Sequence, residues 1–198
     1  LAKRKPTRHD SSRKKSGPAR DQGHSPGERG GQRSEIRLRQ PPGEKVWEIV
    51  LPRCARDRRE DLEEVRLMLE AGEFDVARDE CLWLLQGCID CLEAHHLLGE
   101  IALGDNDFPL ARGHFGYAFQ LGAKAIQRAG RASPVPYRLA ANRVFHESGK
   151  ALVYCLLQLG KPEMAAEVIE TLLAADPSDP LGVRQLATGD GGGCGAAE

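Results

Sequence analysis

From residue 58 onward the large apolar side chains recur at three- and four-residue spacing, the period of an amphipathic helix, in segments broken by turn residues. Leu62, Val65, Met68 and Leu69 share one face of a helix over 58–70. Ala71-Gly72-Glu73 turns the chain, and 74–85 forms a second helix. The stretch 94–122 reads as two more helices joined at Gly104-Asp105-Asn106-Asp107. There the small residues Gly99, Ala102, Ala111 and Ala118 alternate with Leu98, Phe108 and Phe115, as close helix packing requires. A last pair covers 150–159 and 163–174, turning at Gly160-Lys161-Pro162, where proline suits a helix's first turn. Asp176 to Pro180 closes it, and 181–187 makes one more short helix. Upstream, 46–51 alternates loosely, with Trp47, Ile49 and Leu51 on one side until Pro52. That segment is extended, and is either laid against the first helix or paired with a strand elsewhere.

The pairs repeat. Phe74 and Phe108 are 34 residues apart, as are Gly72 and Asn106, Ala77 and Ala111, and Cys81 and Phe115. Ala111 to Ala165 is 54, the same period lengthened by 20. A helix-turn-helix unit with this period resembles the tetratricopeptide repeat (TPR). The residues carrying the resemblance in the second unit are Leu98, Gly99, Ala102, Ala111, Phe115 and Ala118. In the third they are Leu152, Leu156, Gly160, Ala165, Ile169 and Leu172, followed by Asp176-Pro177. In the first unit Gly72, Phe74, Ala77 and Leu84 fit, but Glu64 stands where an apolar residue is expected, so its first helix is either rotated or a cap. Such pairs stack because one pair cannot bury both its faces.

The fold expected is all-α: by resemblance, a right-handed TPR-like superhelix of about three hairpins over 58–187. Its parts are 58–91, 92–123, an insertion at 124–145, 146–179 and a capping helix at 180–187. The simplest form of the insertion is two lengthened helices. One continues from Phe108 to Arg128, and the next begins near Leu139 or Ala140. Ser133-Pro134-Val135-Pro136 is the loop between them, since residues before proline avoid helical geometry.

Composition alters this picture mainly at the N-terminus. Residues 1–45 are rich in Lys, Arg, Ser, Gly and Pro and nearly free of large apolar side chains, so they are read as a disordered basic arm. Residues 46–57 are an extended lead-in, and 188–198 a flexible Gly-rich tail. Through Arg39 the chain carries 12 Lys and Arg against 4 Asp and Glu, a net of +8. The remainder carries 16 against 25, a net of −9, so the formal charge of −1 averages two opposite halves. No apolar run approaches the roughly 18 residues of a membrane span. The basic start, with no apolar segment after it, does not read as a secretory signal. The chain begins at Leu1 rather than methionine, which leaves room for a longer native start. The six cysteines lack the spacing of a disulfide-framed secreted domain, and Cys81 and Cys155 fall on apolar helical positions. A reducing, cytoplasmic setting is expected.

In the TPR family the first helix of each pair lines a concave surface that usually takes a peptide. By that resemblance the groove positions are Arg59, Arg66, Glu93, His96, Glu100, Glu147, Lys150 and Tyr154. A solvated face of mixed charge would look the same. The set of Lys, Asn and Arg with which some TPR proteins hold a C-terminal carboxylate is missing, because Leu62, Leu97 and Ala151 occupy three of its places. Cys88-Ile89-Asp90-Cys91 with His95 and His96 looks like a metal site, but the Cys pair with one nearby His supplies at most three of the four ligands zinc needs, so no metal is assigned. No G-x-S-x-G, P-loop or H-E-x-x-H motif occurs. The expected function is therefore a non-catalytic scaffold or adaptor module binding a protein or peptide through the concave face or the inserted hairpin extension, without cofactor or membrane. The alternative gives the arm to nucleic-acid phosphates while the repeats recruit a partner. With no aromatics in the arm, base stacking is not expected.

Overall fold

The computed structural model describes residues 35–130 and 134–187. Two short strands, β1 (Arg37–Arg39) and β2 (Glu48–Val50), precede eight helices. These are α1 (Arg53–Arg56), α2 (Arg59–Glu70), α3 (Phe74–Gly87), α4 (Leu92–Gly104), α5 (Phe108–Arg128), α6 (Ala140–Gln158), α7 (Pro162–Ala175) and α8 (Val183–Ala187). From α2 onward each helix packs against the next, and α4 also meets α6, so the first helices of successive pairs touch. Among the described residues the protein is all-α apart from the ribbon, and no helix is long and apolar enough to cross a membrane.

The pairs turn in the same way three times. At Gly72, Asn106 and Gly160 the backbone is left-handed, with φ of +79°, +58° and +66°. The next residue's N–H returns to a carbonyl five residues back: Glu73 to Met68, Asp107 to Ala102 and Lys161 to Leu156, at 2.8–2.9 Å. This closes orphan carbonyls at each helix end and sends the chain back antiparallel. Asp107 then caps α5, its carboxylate accepting the Leu110 N–H at 3.0 Å.

Close packing depends on glycine at three successive helix contacts. A Cβ on Gly99 of α4 would lie 2.6 Å from the Phe115 ring of α5. One on Gly122 of α5 would overlap the Phe145 ring of α6, and one on Gly149 of α6 would meet Leu172 of α7 at 2.7 Å. Each glycine thus admits a large side chain from the following helix. At the centre, α4 is enclosed on nearly every side: His95, His96, Leu97, Leu98 and Gly99 are buried in succession.

The lengthened helices take the expected form, α5 running to Arg128 and α6 beginning at Ala140. The final helix is shorter than expected, starting at Val183 rather than 180. The main correction concerns the arm. Residues 35–45, read as part of a disordered arm, hold β1, whose Leu38 pairs antiparallel with Ile49 of β2. Ile36 and Ile49 are both 3% exposed and join the core, with Leu38 and Trp47 packed partly buried against it. Residues 1–34 and 188–198, the rest of the arm and the tail, lie outside the described residues, as does Ser133 of the insertion loop.

What holds the ribbon is the insertion. Asn142, fully buried at the start of α6, accepts the Ile49 N–H and donates to the Trp47 and Pro136 carbonyls, all at 2.9 Å. The Trp47 N–H donates to the Pro134 carbonyl at 2.8 Å. On the far side of the loop, the Val135 N–H donates to the Ala175 carbonyl at 2.8 Å and the Tyr137 N–H to the Asp176 carboxylate at 2.9 Å. The insertion loop is therefore the central layer between the ribbon and the end of α7.

Candidate functional site

The eight groove positions lie on α2, α4 and α6, and all of them border one or both of two concave spaces. The first, of about 890 Å³, is bounded by β2, α1, α2 and the start of α6, and contains Arg59, Arg66, Glu93 and Glu147. The second, of about 490 Å³, runs between α4 and α6 toward α8, and contains His96, Glu100, Glu147, Lys150 and Tyr154. Glu147 borders both.

Not every position is available to a ligand. Arg66 is held by Glu93 at 2.5 Å and by Glu63 at 3.4 Å, tying α2 to α4. His96 is 8% exposed and wedged between helices, with Nδ1 2.9 Å from the Ser148 hydroxyl and Nε2 3.4 Å from Glu100. That hydrogen bond from His96 is the main reason the Glu100 carboxyl is held below its usual value. His96 therefore positions Glu100 and couples α4 to α6. Lys150 and Tyr154 stay open to solvent, Tyr154 within 6.2 Å of the Phe108 ring.

Other lining residues were not singled out in the sequence. Arg39 and Glu48 face each other across the ribbon as an ion pair, and Arg56 comes from α1. Arg143 of α6 lies 5.7 Å over the Tyr137 ring, whose hydroxyl donates to Glu147 at 2.8 Å. That bond raises the Tyr137 pKa, with burial adding to it. These residues sit on the ribbon, on a one-turn helix and in the insertion, outside the repeated register that selected the first eight.

The cysteine and histidine cluster is packing. Cys88 is bonded to Cys54, Cα atoms 5.6 Å apart, fastening α1 to the end of α3. The cysteine spacing gives no sign of this pairing, whereas Cys81 and Cys155 stand unbridged at the apolar helical positions expected of them. Cys81, Cys91 and Cys155 are buried thiols. Burial pushes Cys81 up to about 12 and raises the other two, so none is an activated nucleophile. His95 donates from Nε2 to the Ile89 carbonyl at 3.0 Å, leaving Nδ1 to accept from His114 at 3.3 Å. Among the described residues no three His, Cys, Asp or Glu side chains are grouped to hold a metal.

In comparisons with known proteins, no family model matches the chain and no curated protein matches its sequence.

Proposed function

We propose that this chain is a non-catalytic, TPR-like interaction module that binds a segment of a protein partner along the face built by α2, α4 and α6. The observation that carries the reading is convergence. The eight positions that the resemblance to TPR units assigns to the groove border two adjoining cavities that share Glu147. The left-handed turn repeated at Gly72, Asn106 and Gly160 supports a reading as three successive helical hairpins, as in TPR units. Partner capture from lysate by the full chain tests the reading. Lys150→Glu or Tyr154→Ala should lose the partner without lowering the melting temperature, and retention by both variants would move the binding surface elsewhere.

A second reading rests on the charge split. Net +8 through Arg39 against −9 beyond it favours a nucleic-acid contact through the arm while the repeats hold another partner. Binding to generic DNA and RNA at low and high salt, with and without residues 1–34, tests it. Unchanged binding after deletion excludes it.

A further inference from the structure

We infer that the groove selects a peptide with two chemically distinct ends, an acidic segment in the cavity between ribbon and α6 and an apolar segment in the cavity toward α8. The inference rests on the groove reading above and specifies its ligand.

The acidic end follows from which charges are already satisfied. Among the described residues, Arg37, Arg56, Arg59, Arg112 and Arg143 have no carboxylate within 4.0 Å, while the other arginines are paired, as Arg78 is with Asp75 and Asp105. Three of those five, Arg56, Arg59 and Arg143, line the first cavity. The carboxylates there are fewer: Glu48 is paired with Arg39, Glu63 and Glu93 share Arg66, and Glu147 accepts from the neutral Tyr137 hydroxyl. The five arginines lining the cavity, Arg39, Arg56, Arg59, Arg66 and Arg143, exceed its four carboxylates by one, and three of them are unpaired, so the excess is cationic. Guanidinium groups around a concavity bind carboxylates through paired, charge-assisted hydrogen bonds. The walls come from α1, α2 and α6, and the Cys54–Cys88 bond fixes the helix that carries Arg56.

The apolar end follows from the second cavity. Leu103, Ala151, Tyr154, Leu181 and Leu186 line it together with Glu100 and Glu147. Those carboxylates repel an acidic side chain and leave the space to an apolar one beside Lys150. Tyr137 borders this cavity while stacking against Arg143 of the first, so the two subsites are adjacent along one path. The arginines used here are not the missing carboxylate-holding set of the family. Arg56 belongs to α1, ahead of the repeats, and Arg143 to the insertion.

The test uses the full chain and fluorescein-labelled peptides carrying Glu-Asp-Glu, a Gly-Ser spacer of varied length, and Leu-Leu, read by anisotropy. At least one spacer should give saturable binding at about 150 mM salt. Arg56→Glu and Arg143→Glu should each weaken it about tenfold, whereas Arg112→Glu, an unpaired arginine on another surface, should not. Neutral Arg56→Gln and Arg143→Gln provide the same comparison should charge reversal disturb folding. Replacing Glu-Asp-Glu by Gln-Asn-Gln, or Leu-Leu by Ser-Ser, should weaken binding comparably. Background from the basic arm is shared by all variants, so the comparison that decides is that of the Arg56 and Arg143 variants with Arg112→Glu. Binding lost in Tyr154→Ala but kept in the Arg56 and Arg143 variants overturns the acidic end while leaving the groove. No saturable binding by any peptide, or equal effects from Arg112→Glu, overturns the inference. A DNA oligomer that displaces the peptide with the same arginine dependence also overturns it.

Discussion

The side-chain oxygen of Asn142 accepts the backbone N–H of Ile49 at 2.9 Å, across 93 positions of sequence. Both of this amide's N–H groups are also used, on the Trp47 and Pro136 carbonyls. One fully buried side chain thus joins the ribbon, the insertion loop and α6. Asn142→Leu would leave these backbone groups buried and unpaired, so it should cost about 2–4 kcal/mol. Denaturant unfolding measures the loss, and the Ile49 amide should lose its protection from hydrogen exchange. A loss below about 0.5 kcal/mol would show that the ribbon is held by apolar contact alone.

The helix-crossing glycines should tolerate no methyl group. Gly99→Ala and Gly122→Ala force the Phe115 and Phe145 rings to move, each costing about 1–3 kcal/mol. Gly113 lies on α5 with nothing within 4 Å of an added Cβ. There Gly113→Ala should stabilise by about 0.5–1 kcal/mol through helix propensity. Thermal melts of the three variants decide it: equal shifts would remove the packing argument.

Closing the 34-residue separation between Cys54 and Cys88 restricts the unfolded chain. Reduction, or Cys54→Ser, should lower stability by roughly 2–4 kcal/mol. Intact mass should show the purified protein lighter by two hydrogens than its reduced form. A reducing agent that leaves the melt unchanged would argue against a bridge under those conditions.

Acid should loosen the fold by a defined route. Burial pushes the His95, His114 and His146 pKa values below the ordinary 6.5. As pH falls below about 6.5 the unfolded chain takes up these protons before the folded one. Stability is therefore full above that pH and declines as pH drops toward the folded values. His146 donates from Nε2 to the Val135 carbonyl at 2.7 Å, which fixes its tautomer. Calorimetry between about pH 5 and 8 should show the decline, and imidazole NMR should place the midpoint of His146 below 6.5. A melting temperature flat across that range would contradict it.

Helices and turns were legible in the sequence because each depends on residues near one another. Leu62, Val65 and Met68 mark a face by spacing, and Gly72, Asn106 and Gly160 mark turns by their conformational freedom. The lengthened α5 and α6 follow from the same periodicity and from two prolines. Only half of the ribbon was legible: 46–51 reads as extended, with pairing to a strand as one of two alternatives, but its partner does not, because Ile36 and Leu38 stand among arginines and their burial depends on that strand and on Asn142, far along the chain. For the same reason Arg56 and Arg143 escaped notice, since their convergence is set by the ribbon and insertion rather than by the repeat. Nor does cysteine spacing reveal that α1 folds back onto the end of α3.

The attachment of the ribbon to Asn142 also sets an order of assembly. Each helical pair can close as soon as its own residues have left the ribosome, since its contacts are with its immediate neighbours. The ribbon is synthesised before any of them, yet its docking site is complete only when residues 134–142 and the end of α7 at Ala175 have been made. Until then Ile36 and Ile49 lack that docking site, and the ribbon is secured only after the helical pairs that precede it in closing. The first described residues to be made are thus among the last to become native, and they fasten the ribbon to the insertion and the start of α6.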